Sequence, residues 1–569
     1  MKTGGMAMRG TDEMISAQEE FLSRMDEACR QKVIGVRLEP TGPDPRRDMI
    51  GAIRLAWGDI TLSLDCLSML PAGLTPLRKA LESPAVKVFH NAGTELQFLM
   101  AAGINPTKIF DTALAGQLLS ESGHLYSELD ELAGRYLPGE SVTGKADILL
   151  RLREAMIRLL KRYRLVEVAK IEFDCAISVA QMEFHGIMLD VAAWRDLTAA
   201  AEIEKRQALE ALRNFTGQRP TQTTLWGEAG FMEENFDSNA HILSLLRGHG
   251  IKVENTAKPA LAAHRSHPLV AALSRYRAVA KQLSTYLRPL PKMLHPKTGR
   301  LHPQYSQIAA WTGRMSCYAP NIQQIPRGGD FRGCFVAPEG RRLLIADYPQ
   351  IELRVVAQIT HERRMIDAYA RGLDLHGLTA SLILGKTMES ISGQERQYAK
   401  AVNFGLIYAM GAEGLRLSAQ QSYGVAMTHE QAADFRRLFF EAYPAIRDWH
   451  TALARRRSPE GRTLTGRRYS FPKWYGLPAH SNAPVQGTAA DILKLALGRL
   501  IAGLPGRPWL RPLLQIHDEL VFELPENKLP EAVAFIQACM DAQPFPEMDV
   551  PIVAEAAYGP DFGHMKEME

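Results

Sequence analysis

The chain has 569 residues, 46% of them hydrophobic, and a formal net charge of +4. This length and composition exclude a disordered chain and a small disulfide-stapled scaffold, and leave room for several domains with real cores. So nearly balanced a charge confines any nucleic-acid surface to a local groove.

The six cysteines (Cys29, Cys66, Cys175, Cys317, Cys334, Cys539) are scattered, with no C-x-x-C pair. A zinc site and a disulfide framework are therefore not expected, and a reducing cytoplasm is. No signal-peptide pattern or apolar run of membrane length is present.

Along the chain, residues 32–38, 53–57, 60–64 and 87–90 read as strands, with helices at 74–81 and 95–102. A helical stretch at 149–183 closes this α/β section. Asp190 then caps a long helix predicted over 192–215 and stopping at Gly217, with a returning helix at 272–287. Strands resume near 300. Thr-Gly-Arg occurs at 298, 312 and 465 in different flanks, so these are three separate loops and not a repeat.

Two apolar runs each deliver an aspartate: Leu343-Leu344-Ile345-Ala346-Asp347 and Leu513-Leu514-Gln515-Ile516-His517-Asp518-Glu519. Both read as buried strands, where an unpaired carboxylate is costly. A divalent metal is one suitable partner, since two carboxylates from distant segments can hold a metal pair for phosphoryl chemistry. A strand-end or turn aspartate is the other reading of each taken alone. Between them, Arg396, Lys400, Phe404 and Tyr408 recur every four residues, drifting about 40° per step on one broad helical face. Two cations followed by two rings suit a triphosphate and its base; an amphipathic helix with core aromatics fits the spacing equally well. Arg455, Arg456, Arg457, Arg462, Arg467 and Arg468 form a basic cluster, suited to phosphates or to a solvated surface.

In this order, Asp347-Tyr348-Pro349-Gln350-Ile351-Glu352-Leu353-Arg354, the Arg396–Tyr408 segment and His517-Asp518-Glu519 resemble motifs A, B and C of the family A DNA polymerases. Thr312-Gly313-Arg314-Met315-Ser316, Pro320-Asn321-Ile322-Gln323-Gln324-Ile325-Pro326, Asp374-Leu375-His376 and Asn482 to Asp491 resemble further blocks of that family. The resemblance runs from about Gln181 to the C-terminus. It implies a multidomain α/β and α+β fold: an RNase H-like exonuclease domain followed by a right-hand polymerase with an antiparallel palm sheet and helical thumb and fingers. The boundaries implied are 1–185 for the exonuclease-like domain, 186–300 for the thumb, 301–355 and 475–569 for the palm, and 356–474 for the fingers.

The resemblance also implies roles. Asp347, Asp518 and the backbone carbonyl of Tyr348 would hold two Mg²⁺ ions, with Mn²⁺ as a substitute. Lys400 would protonate the leaving pyrophosphate. Arg396, Lys400, His376 and Gln350 would meet the nucleotide, Phe404 its sugar and Tyr408 the templating position. Glu352 would crowd the sugar 2′ position and exclude ribonucleotides. Arg314, Asn321, Gln323, Gln486, His517 and Glu519 would contact primer–template DNA.

The front section departs from the family's exonuclease pattern. Its Asp-x-Glu is replaced by Arg37-Leu38-Glu39, the second block offers Glu95 where aspartate is expected, and the third has no match between Gly139 and Leu150. Asp111 survives. A cation at a ligand position repels divalent metal, so this domain is expected to be an inactive scaffold. Pro349, Cys317, Ala409 and Pro478 are further departures; none removes a metal ligand. No residues remain for a 5′ nuclease domain, so unaided removal of RNA primers is not expected.

The expected protein is a cytoplasmic, monomeric DNA-templated DNA polymerase without proofreading. It would serve replication of a phage or mobile element, or repair and lesion bypass, with no membrane partner. A single-subunit RNA polymerase shares the metal aspartates, but Glu352 and the exonuclease-like section oppose it. A non-catalytic DNA-binding scaffold is opposed by the intact Asp347, Asp518, Arg396 and Lys400.

Overall fold

The computed structural model describes residues 12–13, 18–68, 74–120, 128–139, 146–216, 235–310, 312–326 and 330–568. The front section is a mixed six-stranded sheet of β1 (Asp12–Glu13), β2 (Val33–Pro40), β3 (Ile50–Trp57), β4 (Ile60–Asp65), β5 (Val86–Phe89) and β6 (Ile109–Asp111). The strand order is β1-β4-β3-β2-β5-β6. β2, β3 and β4 form an antiparallel meander, to which β5 and β6 add in parallel. Parallel addition needs a crossover, supplied between β5 and β6 by helix α1 (Ala92–Ala101). That helix starts earlier than residue 95 because the Asp111 carboxylate accepts the Asn91 and Ala92 N–H groups, at 3.1 and 2.7 Å. A cap donated from twenty residues away leaves no local signature. Asp111 also caps α2 (Thr112–Leu119).

The stretch predicted at 149–183 is two helices, Asp147–Arg162 and α3 (Val166–His185), interrupted where Arg164 turns to a φ of 55°. The long helix α4 (Val191–Arg213) is capped by Asp190 as expected, through the N–H groups of Ala192 and Ala193. Its predicted stop at Gly217 lies outside the described residues. It packs against α5 (Pro268–Gln282) through Ala208, Leu212, Leu269 and Tyr276.

The rest is built on a second sheet. After β7 (Arg341–Asp347) come helices α6 (Ile351–Thr360), α7 (Leu375–Leu384), α8 (Gly393–Leu406) and α9 (Pro444–Arg456). A short hairpin, β8 (Glu460–Arg462) and β9 (Arg468–Ser470), precedes the long helix α10 (Leu477–Gly503). Strands β10 (Arg511–Ile516), β11 (Glu519–Pro525), β12 (Glu555–Gly559) and β13 (Lys566–Glu567) complete the sheet. Its order is β10-β11-β7-β12-β13, antiparallel throughout. The central position of β7 explains its apolar run: Leu343, Leu344 and Ala346 are fully buried. Among the described residues no helix is long and apolar enough to cross a membrane.

Candidate active site

Asp347 ends β7. Its partner across one ladder is Glu519 on β11, and across the other Glu555 on β12. Asp518 and His517 form the two-residue turn closed by the Ile516–Glu519 pair, with His517 at a φ of 59°. The two aspartates, 171 positions apart in the sequence, are thus brought to the same end of the sheet. Glu519 lies 3.5 Å from the Arg332 guanidinium. Tyr348 anchors the segment after Asp347: its ring is buried and its hydroxyl donates to the Met540 carbonyl at 2.8 Å. Among the described residues no three His, Cys, Asp or Glu side chains gather as a closed metal cage. The oxygen donors at this sheet end suit a hard cation that completes its shell with water and phosphate oxygens, as Mg²⁺ does.

A cavity of about 380 Å³ opens beside these strands, lined in part by Arg314, Gln323, Gln350, Glu352, Phe404, His517 and Asp518. Glu352 closes one side: one carboxylate oxygen accepts from Arg314 and the other from the Tyr408 hydroxyl. Gln323 donates to the Gln515 side chain at 2.8 Å and accepts from the Cys317 N–H at 3.2 Å. Asn321 is half-buried, and its Oδ1 is buried without a partner among the described residues. Gln486 lies half-buried on α10. Gln350, at a left-handed φ of 58°, accepts from the Tyr369 hydroxyl at 3.2 Å. For a non-glycine residue that conformation carries strain, which concentrates at functional sites.

Gln350 also lines an adjoining cavity of about 370 Å³ with Arg354, Tyr369, Asp374, Arg396 and Glu555. Here Asp374 grips Arg396 through two hydrogen bonds, 2.6 and 3.0 Å, while capping α7 through the His376 and Gly377 N–H groups. Burial alone would raise the Asp374 carboxyl, but Arg396 and the two N–H donors hold it below its ordinary value. His376 is buried beside Phe404, with ring centroids 5.8 Å apart. Burial lowers its pKa to about 4, against a raising influence from Asp374 and with Arg396 and Lys400 also lowering it. Its Nδ1 meets the Asn403 amide at 2.9 Å. Lys400 stands half-exposed one turn beyond Arg396 on α8.

Two details refine the sequence reading. The regular helix α8 ends at Leu406, and Tyr408 lies in the turn that follows, just before Ala409, whose φ is 57°. Arg467 is not a surface phosphate ligand: it is 2% exposed and paired with Asp491 and Glu172. Lys494 joins this buried network and donates to the Gly313 carbonyl at 2.7 Å, beneath the Arg314 segment. Asp374 and Asn403 were in view as parts of motifs, but only tertiary contacts reveal what they hold.

In the front sheet, Arg37 pairs across from Arg54, and Arg54 takes Glu39 at 2.8 Å. Glu95 is half-buried, with one carboxylate oxygen buried and unpartnered among the described residues, and desolvation pushes its carboxyl up to about 8. Asp111 spends its carboxylate on four N–H groups at the starts of α1 and α2.

An antiparallel sheet delivering carboxylates to a cavity, with Arg396 and Lys400 on a neighbouring helix and a second α/β unit ahead, has the layout of an enzyme for phosphoryl transfer on nucleotides. Residues 221–564 match the model of DNA polymerase family A, and residues 13–156 that of the 3′–5′ exonuclease domain. DNA polymerase I of Aquifex aeolicus is 32% identical over 512 residues, 82% of this chain and 86% of that protein. The thermostable DNA polymerase I of Thermus thermophilus is 36% identical over 417 residues, 68% of this chain but 47% of that protein. The solved POL domain of Pol1 from M. smegmatis, in complex with DNA primer-template and dNTP, superposes with a TM-score of 0.75 at 26% identity. That match covers 96% of this chain and 98% of the other. The chain belongs to DNA polymerase family A, with a 3′–5′ exonuclease domain ahead of the polymerase region, and is a DNA-directed DNA polymerase. Enzymes of this family depend on metal ions.

Proposed function

We propose that the chain adds deoxynucleotides to a primer 3′ end by two-metal phosphoryl transfer, and that its front domain no longer proofreads. The observation that carries the first part is the strand register setting Asp347 against Glu519, with Asp518 in the adjoining turn. Asp347, Asp518 and the Tyr348 carbonyl are the groups that would hold two Mg²⁺ ions. Bound there, the ions supply the charge neutralisation an in-line displacement needs at its attacking and leaving oxygens.

The chain's own side chains do the rest. Arg396 and Lys400 clamp the triphosphate, Lys400 also delivering a proton to the leaving pyrophosphate, a contribution of about 10²–10⁴-fold. His376, neutral above pH about 4, donates or accepts a hydrogen bond without adding charge. Gln350 and Phe404 border the nucleotide, and Glu352 crowds its 2′ position. Releasing the Tyr408 hydroxyl from Glu352 frees that ring to move as template is accepted. Arg314, Asn321, Gln323, Gln486, His517 and Glu519 follow the primer–template duplex. The thumb at 186–300, the palm at 301–355 and 475–569 and the fingers at 356–474 are the corresponding working parts of a protein acting as a monomer.

Loss of proofreading is supported by the fate of each carboxylate: Glu39 is tied to Arg54, burial pushes the Glu95 carboxyl up to about 8 and Asp111 is spent on two helix starts. Such an enzyme suits phage or mobile-element replication, or repair and lesion bypass. The test is a labelled primer on a longer template with Mg²⁺, with and without dNTPs. Extension with dNTPs and an intact primer without them is expected. Primer shortening that survives Asp347→Ala would restore a working exonuclease.

A further inference from the structure

A cavity of about 220 Å³ lies between α9, the β8–β9 hairpin and the start of α10, outside the site described above. Its walls are aromatic: Trp449, Tyr469, Trp474 and His480. The His480 ring lies flat on Trp474, centroids 4.0 Å apart and planes 15° from parallel, with Phe471 against its edge at 4.7 Å. His480 is 2% exposed, and its Nε2 is buried with no hydrogen-bond partner among the described residues. A buried polar atom left unpaired is unfavourable unless a ligand or water completes it. Burial also lowers the pKa of this imidazole, favouring the neutral ring.

The rim is cationic. Arg456 and Arg462 line the cavity against one carboxylate, Glu460. Arg462 donates to the carbonyls of Gly466 and Tyr163, at 2.7 and 2.8 Å, and Arg468 lies over the Tyr163 ring at 5.2 Å. These contacts orient the guanidinium groups without neutralising them.

The cavity is also near the chemistry. Pro484 lines it, and Ala489 and Ala490, five and six residues further along α10, line the central cavity. At the helical rise this is about 8 Å along the axis, with the two linings roughly 120–140° apart around it. Aromatic faces beside unneutralised cations, with the unpartnered His480 Nε2 in the wall, match the requirements of an unstacked nucleobase and its phosphates. A primer–template is single-stranded only ahead of the primer end, on the template.

We propose that this pocket takes one unstacked base of the unpaired template, the arginines holding the adjacent phosphates. Only the identity of the strand rests on the polymerase reading; the binding is measurable without catalysis.

The test measures affinity by fluorescence anisotropy, without dNTPs, for one duplex carrying template overhangs of zero to about six nucleotides. The wild-type affinity should rise about 5- to 150-fold as the overhang reaches the pocket, then level off. An abasic nucleotide at one position of the overhang should remove that gain. Trp474→Ala and His480→Ala should lose both the gain and the abasic penalty, while binding the overhang-free duplex as the wild type does. Arg456→Ala should reduce the slope of log affinity against log salt by about 0.7. A wild-type gain indifferent to every abasic position, or kept by folded Trp474→Ala, overturns the proposal. If a variant proves misfolded by circular dichroism, the abasic scan on the wild type decides alone. Failure of the polymerase reading would look different: no extension of the same primer, whatever the overhang dependence.

Discussion

Asp374 and Arg396 meet edge to edge, at 2.6 and 3.0 Å, tying the N-terminus of α7 to the early turns of α8. The same carboxylate accepts the His376 and Gly377 N–H groups. One acid therefore sets both the arginine proposed to clamp the triphosphate and the helix that carries His376. Bidentate pairs of this kind fix orientation as well as charge.

Asp374→Asn should free the guanidinium and raise KM for the incoming nucleotide roughly tenfold, the scale of one lost charge-assisted hydrogen bond. Because Asp374 acts through Arg396, combining Asp374→Asn with Arg396→Ala should cost little more than Arg396→Ala alone. Single-nucleotide incorporation kinetics on the four proteins would show this; fully additive penalties would separate the two residues.

Asp347→Ala or Asp518→Ala should lower the extension rate by roughly a thousandfold or more, while primer–template affinity stays within a few-fold of wild type. Glu519, already beside Arg332, should tolerate Glu519→Gln better. Rapid-quench rates paired with binding measurements check both; extension by Asp347→Ala at near wild-type rate would remove Asp347 from the centre.

Ala409→Gly should stabilise the protein. Ala409 holds a φ of 57°, a conformation that costs an L-residue about 1–2 kcal/mol and glycine almost nothing. After the extra chain entropy of glycine, a net gain of about 0.5–1 kcal/mol remains. Urea unfolding of the two proteins reads it, and a less stable glycine variant would contradict the backbone argument.

Buried titratable groups give opposite pH arms. Burial lowers the pKa of His376, His185 and His450 to about 4 each. Unfolded histidine takes up a proton near pH 6.5, so the unfolded state binds more protons between pH 6.5 and 4, and stability falls as pH drops through that window. Glu95 does the reverse: its folded carboxyl is raised to about 8. Its contribution is complete below pH about 4.5 and is lost as pH rises to 8. Glu95→Gln should thus add stability at pH 8 relative to wild type and little at pH 4.5, as melting curves at the two pH values would report.

The strand runs ending in Asp347 and preceding Asp518, the Asp190 cap and the Arg396–Lys400–Phe404 spacing were all legible without coordinates. Each is a local pattern, imposed by burial of one strand or one helical face within a few residues. The family's order of blocks followed from the same short segments. The end of α8 at Leu406 was not legible, because the left-handed turn at Ala409 that stops the helix is not announced by propensity.

Other features required the fold. That Asp111 reaches back to the start of α1, that Arg467 is buried among Asp491, Glu172 and Lys494, and that Glu555 stands across from Asp347 are relations between residues about twenty to hundreds apart. A charged side chain looks the same in sequence whether it meets water, phosphate or an opposite charge in a core. By itself the sequence determined the family and which charged and aromatic residues stand at its motif positions, because those are carried by residue type and local spacing. The tertiary structure alone decided which of those groups meet and which are spent holding the fold together, because desolvation and pairing depend on neighbours the chain brings from afar.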